Sequence, residues 1–410
     1  MRSVASLLGM ESLIPSEHNE RMIAFGTLIN TFGNGLFYTV SAIYFTRVIG
    51  LSAQEVGIGL SIAALVGMSA AVGFGRVADI REPRNLVAIM VSMNAVLMFG
   101  YAFASNFTTF VLLASAIALV DRGAMTVRAT IISRIGGVDG RVRIRAYLRA
   151  VTNLGIGAGS LFAGLALVVD QPMIYRVLII ANSLTSLAAA YAMMQLPIFE
   201  PFVQARSERA STAIRDFRFV GLTGLNGVLS IHYHVLDLAV PLWVIGHTQA
   251  PVWVVAVAMF VNTTACVLFQ VRLSKGTEDP HVAGLASRNG SWFLAAALVV
   301  YASASLTQSP VIATLLILAG ATVHVTGELR QAAGAFGIGY GLPPEHMQGQ
   351  YQGVWSLGMS ASNFIAPVVL TTLVIGGGFS GWIGLGIVFL IAGFLVPRLV
   401  DSYLRNKAVI

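Results

Sequence analysis

The residues able to do chemistry stand inside long apolar runs. They are Asp121, Arg122 and Arg128; His232, His234 and Asp237; and His324 and Glu328. An ionisable side chain at the middle of a bilayer costs about 2.5–3.5 kcal/mol on insertion scales, so each position is informative. A carboxylate or imidazole placed there can carry a proton, hydrogen-bond a polar solute or neutralise an opposite charge. Asp121 and Arg128 are seven residues apart, nearly two helical turns, so they share a face and can neutralise one another across a water. Arg122 points about 100° away from Asp121, toward a neighbouring helix. His232 and His234 are two apart and face opposite sides, so they cannot jointly hold a metal. His234 and Asp237 are three apart and can touch. One imidazole and one carboxylate make a poor metal site, and no metal is expected. Uncharged polar groups join these from Asn30, Thr31, Asn34 and Tyr38, and from Asn226, while Phe37, Tyr38, Tyr233 and Trp243 offer aromatic surface.

The elements that must position these groups follow from composition. The chain has 410 residues, of which 56% are apolar and 10% charged, where soluble domains carry about 25% charged residues. Mean hydropathy is +0.78. A soluble fold of this size could not cover its surface with so few charges, so the surface must face hydrocarbon. The net charge of +7 belongs to cytoplasmic loops, and no nucleic-acid partner is expected. The single cysteine, Cys266, excludes an intrachain disulfide. Ala5–Met10 is too short an apolar stretch for a signal peptide, and Glu11 follows it.

A bilayer core needs about 20 apolar residues per helix. Twelve runs qualify, near 22–47, 54–75, 84–104, 108–133, 145–169, 173–196, 219–246, 251–272, 288–308, 310–335, 349–375 and 379–400. With the N-terminus inside, 21 of the 25 Lys and Arg residues fall on the inner side, Arg47 and Arg176 outside, and Arg122 and Arg128 within a span. Both termini are therefore expected in the cytoplasm. The longest polar interruption gives a cytoplasmic linker, 197–218, between six-helix bundles at 22–196 and 219–400, with cytoplasmic segments 1–21 and 401–410. A shift of 196 residues aligns Asn30 with Asn226 and Ile49-Gly50 with Ile245-Gly246. The buried polar groups then collect on spans one, four, seven and ten, as expected of pseudo-symmetric helices lining one cavity.

Two glycine runs, Gly155-Ile-Gly157-Ala-Gly159 and Gly337-Ile-Gly339-Tyr-Gly341, neither follow a strand nor open a βαβ unit, so they are not nucleotide loops. Gly155, Gly159 and Ala163/Gly164 instead form a small-residue face for tight helix packing.

The stretch Gly75-Arg76-Val77-Ala78-Asp79-Ile80-Arg81-Glu82-Pro83-Arg84 resembles the signature loop of the major facilitator superfamily, G-x-L-A-D-R-x-G-R-R. Gly75, Ala78, Asp79 and Arg84 match, while Ile80 and Glu82 depart from it. Span five is similar to that superfamily's antiporter motif at Gly155, Gly159 and Gly164, with Ser160 where Pro is usual. Pro241-Leu242-Trp243, Gly327-Glu328 and Gln348–Gly353 look similar to its exporters from GC-rich bacteria. The resemblance implies an all-α polytopic membrane protein, with twelve transmembrane helices in two pseudo-symmetric six-helix bundles. It also implies a solvated cytoplasmic latch at Gly75, Asp79 and Arg84, with Asp79 facing the start of span eleven.

The expectation is a monomeric, cofactor-free secondary transporter in a bacterial inner membrane that exports small hydrophobic or amphipathic compounds by proton antiport. Asp237, with no Arg or Lys within two turns, ranks first as proton carrier, ahead of Asp121 and Glu328. Asn30, Asn34, Phe37, Tyr38, Arg122, Arg128, Asn226, His232, Tyr233, His234, Trp243 and His324 are expected around the substrate. An importer or facilitator of a polar metabolite is the alternative. A polytopic membrane enzyme is the weakest reading, because no clustered nucleophile or metal set is visible. The charge count generates the first prediction. A cytoplasm-active reporter fused after Ile410 or within Gln204–Ser211 works, and one placed after His247 does not; the reverse at His247 would overturn the frame.

Overall fold

The computed structural model describes residues 17–167, 171–200 and 212–407. The Ala5–Met10 stretch, residues 201–211 of the linker and Ile410 lie outside the described residues. Among the described residues there are twelve long helices: α1 His18–Ile43, α2 Ala53–Ile80, α3 Pro83–Tyr101, α4 Phe107–Gly137, α5 138–167, α6 Pro172–Met194, α7 Phe217–His247, α8 Trp253–Leu273, α9 Pro280–Leu306, α10 Pro310–Gly341, α11 Glu345–Ile375 and α12 Gly378–Lys407. A four-residue helix, Thr212–Arg215, precedes α7. No strand occurs among the described residues. Among the described residues ten helices, α2–α4 and α6–α12, are long and apolar enough to cross a membrane. The other two are more polar: α1 carries Thr27, Asn30, Thr31 and Asn34, and α5 carries Arg141, Arg143, Arg145 and Arg149.

Local chemistry sets the helix ends. Pro83, Pro172, Pro280 and Pro310 open α3, α6, α9 and α10, where a missing N–H costs nothing. Ser52 and Glu55 form a reciprocal capping box at α2. Asp216, Asp279 and Ser309 accept first-turn N–H groups at α7, α9 and α10. Gly137, at φ 56°, breaks α4 from α5, and Gly378, at φ 58°, turns the chain into α12. The helices overrun the apolar runs: α2 continues past 75 to Ile80, α9 begins at Pro280 rather than near 288, and α10 runs on to Gly341. Apolar runs mark only the hydrocarbon stretch, whereas hydrogen bonding carries a helix on into the interface. One expectation changes with this. The Gly75–Arg84 stretch is no solvated loop, because only Arg81 and Glu82 separate two helices.

The chain divides into two compact bodies, 1–137 with 147–212 and 344–353, and 138–146 with 213–343 and 354–410. The first is packed around aromatic side chains. Phe45 lies 4.6 Å from Phe110 and 5.3 Å from Tyr101, and the Tyr44 hydroxyl donates to the Tyr101 carbonyl at 3.0 Å. In this body α1 meets α5 at glycines: a Cβ on Gly155 would strike Thr31, and one on Gly159 would strike the Phe32 carbonyl. Gly164 is a correction, since it faces open space and takes no part in that contact.

In the second body α9 and α10 approach through Gly290, Gly327 and Gly334. A Cβ on Gly290 would lie 2.7 Å from Gln331 N, and one on Gly334 would meet Ser287. Between lipid-solvated helices this close packing, rather than water exclusion, supplies the attraction. Overpacking typically costs about 1–3 kcal/mol. Gly334→Leu should therefore lower the melting temperature of the detergent-purified protein. Gly384→Ala, with nothing near its Cβ, should leave it unchanged. Equal melting of the two would remove this glycine contact from the account.

Candidate functional site

Within the first body, Asn30 of α1, Asn94 of α3, and Asp121 and Arg128 of α4 line one small cavity of about 30 Å³. That is room for about two waters. Ser186 donates to the Asn30 amide oxygen at 3.4 Å, which anchors α1 to α6 beside it. Arg122 is not among the lining residues; its carbonyl accepts the Thr126 hydroxyl at 3.1 Å. Asn94 was missed because α3 holds no charge in its apolar stretch, and an uncharged amide there was the available signal.

Within the second body, α7 is irregular where its polar residues fall. Its regular turns stop at Ser230, and after His232–His234 a π-helical turn runs over Val235–Ala239. Such turns cluster at functional sites. His232 and, on one face of α10, His324 and Glu328 are buried at 0%, 1% and 6% exposure. One donor atom from each of the three lies within 4.8 Å of the others. Asn262 of α8 donates to Glu328 Oε2 at 2.7 Å, and the Cys266 thiol lies 3.6 Å from Oε1. Gln331 Oε1 sits 3.4 Å from His232 Nε2, while the same amide donates to Asn226 Oδ1 at 3.0 Å. Reasoning from charge passed over Asn262, Cys266 and Gln331, which are uncharged.

Other expected site residues sit elsewhere in their bodies. Asp237 is 51% exposed, with a carboxylate oxygen 3.7 Å from His234 Nδ1, so the burial that argued for it as first proton carrier is absent in this conformer. The other ring nitrogen of His234 is 3.2 Å from Asn363 Oδ1. Trp243 is a correction: it is buried in the core, donates to the Tyr301 carbonyl at 2.9 Å and meets Trp382 at 5.5 Å. Phe37 likewise stacks on Tyr101 at 5.8 Å inside the aromatic core. Asn34 and Tyr233 are half-buried, and Tyr38 is 59% exposed.

No protein-family model and no curated protein sequence matches the chain. Solved structures do. A bacterial homologue of the iron transporter ferroportin, in an outward-facing state, is 12% identical with a TM-score of 0.72, covering 94% of this chain and 99% of that one. The same homologue with soaked iron gives 13% and 0.67, over 94% and 99%. The human organic anion transporter MFSD10 (TETRAN) gives 13% and 0.66, over 93% and 100%. The chain has the major facilitator fold.

In this major facilitator fold the signature stretch is helical and tight. Asp79 is 0% exposed, and its carboxylate accepts the N–H groups of Gly349 at 2.7 Å and Gln350 at 2.9 Å. Those are orphan donors of the first α-helical turn of α11, which begins at Gln348 after a 3-10 turn, and negative charge is favourable there. Gly75 and Gly349 approach so closely that a Cβ on either would strike the other's carbonyl. Arg84 does not join this contact; its guanidinium donates to the Leu196 carbonyl at 3.1 Å, tying α3 to the end of α6. Hydrogen bonds to a charged group contribute about 1.5–3 kcal/mol each. Asp79→Asn keeps one acceptor oxygen and loses the charge, so it should insert normally yet melt lower. Wild-type melting in this variant would count against the contact.

Proposed function

We propose that the chain is a secondary active transporter, moving a small molecule across a bacterial inner membrane by alternating access and coupled to protons. The observation that carries this reading is the set of buried polar groups, His232, His324, Glu328 and Gln331, at the irregular middle of α7 and on α10. Broken helices at the midplane are where transporters of related design bind their solutes and coupling ions. Buried groups of this cost serve a pathway more often than packing. The fold supports the reading as well, since the similar solved proteins are named as an organic anion transporter and a homologue of an iron transporter.

We infer export of small hydrophobic or amphipathic compounds by proton antiport, as the resemblance of span five to an antiporter motif implies. Asp237 is the group we assign to proton exchange. Its carboxylate is half-exposed and lies 3.7 Å from His234 Nδ1. Asp121 and Arg128, facing one small cavity in the first body, shape binding instead. A second reading, uptake of a polar metabolite, is favoured by the amides and guanidinium of Asn30, Asn94 and Arg128 in that cavity.

Cells expressing the chain should accumulate less of a lipophilic fluorescent dye, and a protonophore should abolish the difference. Asp237→Asn should abolish gradient-driven transport in vesicles while leaving dye binding measurable; Asp121→Asn should chiefly change binding. Concentration of dye against a gradient by Asp237→Asn at the wild-type rate would remove the assignment to Asp237.

A further inference from the structure

We propose that His232, His324 and Glu328 form a binding site for a divalent transition-metal ion of the zinc, cobalt and ferrous class. These side chains come from two helices, with His324 and Glu328 one turn apart on α10 and His232 on α7. Donor atoms from all three lie within 4.8 Å of one another and all three side chains are more than nine-tenths buried. Two imidazoles and one carboxylate match the donor preferences of these ions. They disfavour calcium and magnesium, which take oxygen ligands. Metal–nitrogen and metal–oxygen bonds run about 2.0–2.2 Å, so closure around an ion draws the donors together by about 1 Å.

A second observation points into the same place. His324 is 1% exposed, and no side chain hydrogen-bonds either of its ring nitrogens; the backbone of His232 is the polar group beside it. One backbone neighbour can serve one ring nitrogen only, a buried nitrogen left over is costly, and an ion would satisfy it. The surroundings also resemble an outer shell. Asn262 holds Glu328 Oε2 at 2.7 Å, Gln331 lies 3.4 Å from His232 Nε2, and the Cys266 thiol lies 3.6 Å from Glu328 Oε1. Outer partners of this kind orient a ligating imidazole or carboxylate and tune its affinity. The site is distinct from Asp237 and His234, and it stands whether or not the protein exports dye.

The test uses the full chain, purified in detergent and stripped with a chelator. Calorimetric titration with Zn²⁺ should show saturable binding of one ion per chain, reversed by chelator, with no binding of Mg²⁺. Co²⁺ should give the visible bands of a nitrogen-ligated, low-symmetry site. Glu328→Gln and His324→Asn should each weaken Zn²⁺ binding by about 100-fold or more, beyond the 10–100-fold expected of an outer-shell partner. His234→Gln should bind as wild type does. Elution and melting of the metal-free variants check that each is folded. X-ray absorption on the Zn²⁺-loaded wild type needs no variant and should show two imidazoles on the metal. Absent saturable binding, unchanged affinity in folded Glu328→Gln and His324→Asn, or a shell lacking imidazole would each overturn the site. Because binding is read on purified protein, a transport defect cannot mimic its failure.

Discussion

A backbone amide left without a partner in hydrocarbon costs several kcal/mol, and the spanning segments have no water to turn to. Helices satisfy each segment internally, which is why the described chain is helical from His18 onward with only short breaks. The same constraint governs helix ends. Where an end is buried rather than wet, something on the protein must accept or donate, and Asp79 does so for the first turn of α11. Some side chains follow it too. Polar groups inside the bodies occur as neighbours: Asn30, Asn94, Asp121 and Arg128 around one cavity, and Asn226, Gln331 and His232 in a chain of amide and imidazole contacts.

Much of this was legible in the residues, because hydrocarbon imposes a simple length rule and charge stands out against it. Each of the twelve apolar runs overlaps one of α1–α12, and the two short turns fall from Leu306 to Pro310 and from Ile375 to Gly378. Helix ends were less legible. Polar or glycine-rich turns at the interface remain hydrogen-bonded as helix, and no hydropathy signal distinguishes them from loop. The signature stretch shows the consequence, since a buried Asp79 at a helix end is a different physical object from a solvated one.

The sites were half legible. Ionisable residues marked α4, α7 and α10, but pairing His232 with His324 requires knowing which helices touch, and that lies in tertiary packing. Uncharged partners escaped for another reason. Asn94, Asn262 and Gln331 look ordinary one at a time, and they acquire meaning only through what they bond. Aromatic residues misled in the opposite direction. Trp243 and Phe37 suggested a binding surface, yet large rings pack densely wherever they are given room, and here they fill the cores.

The break at Gly137 has an implication for how the chain can be divided. Residues 138–146 group with the second body, and residues 344–353 group with the first. Each body therefore borrows a strip of sequence from the other half of the chain. A gene cut in the linker would yield two fragments, neither containing all of its own body. The first would lack the Gly349 and Gln350 amides that Asp79 holds, leaving that carboxylate without either partner.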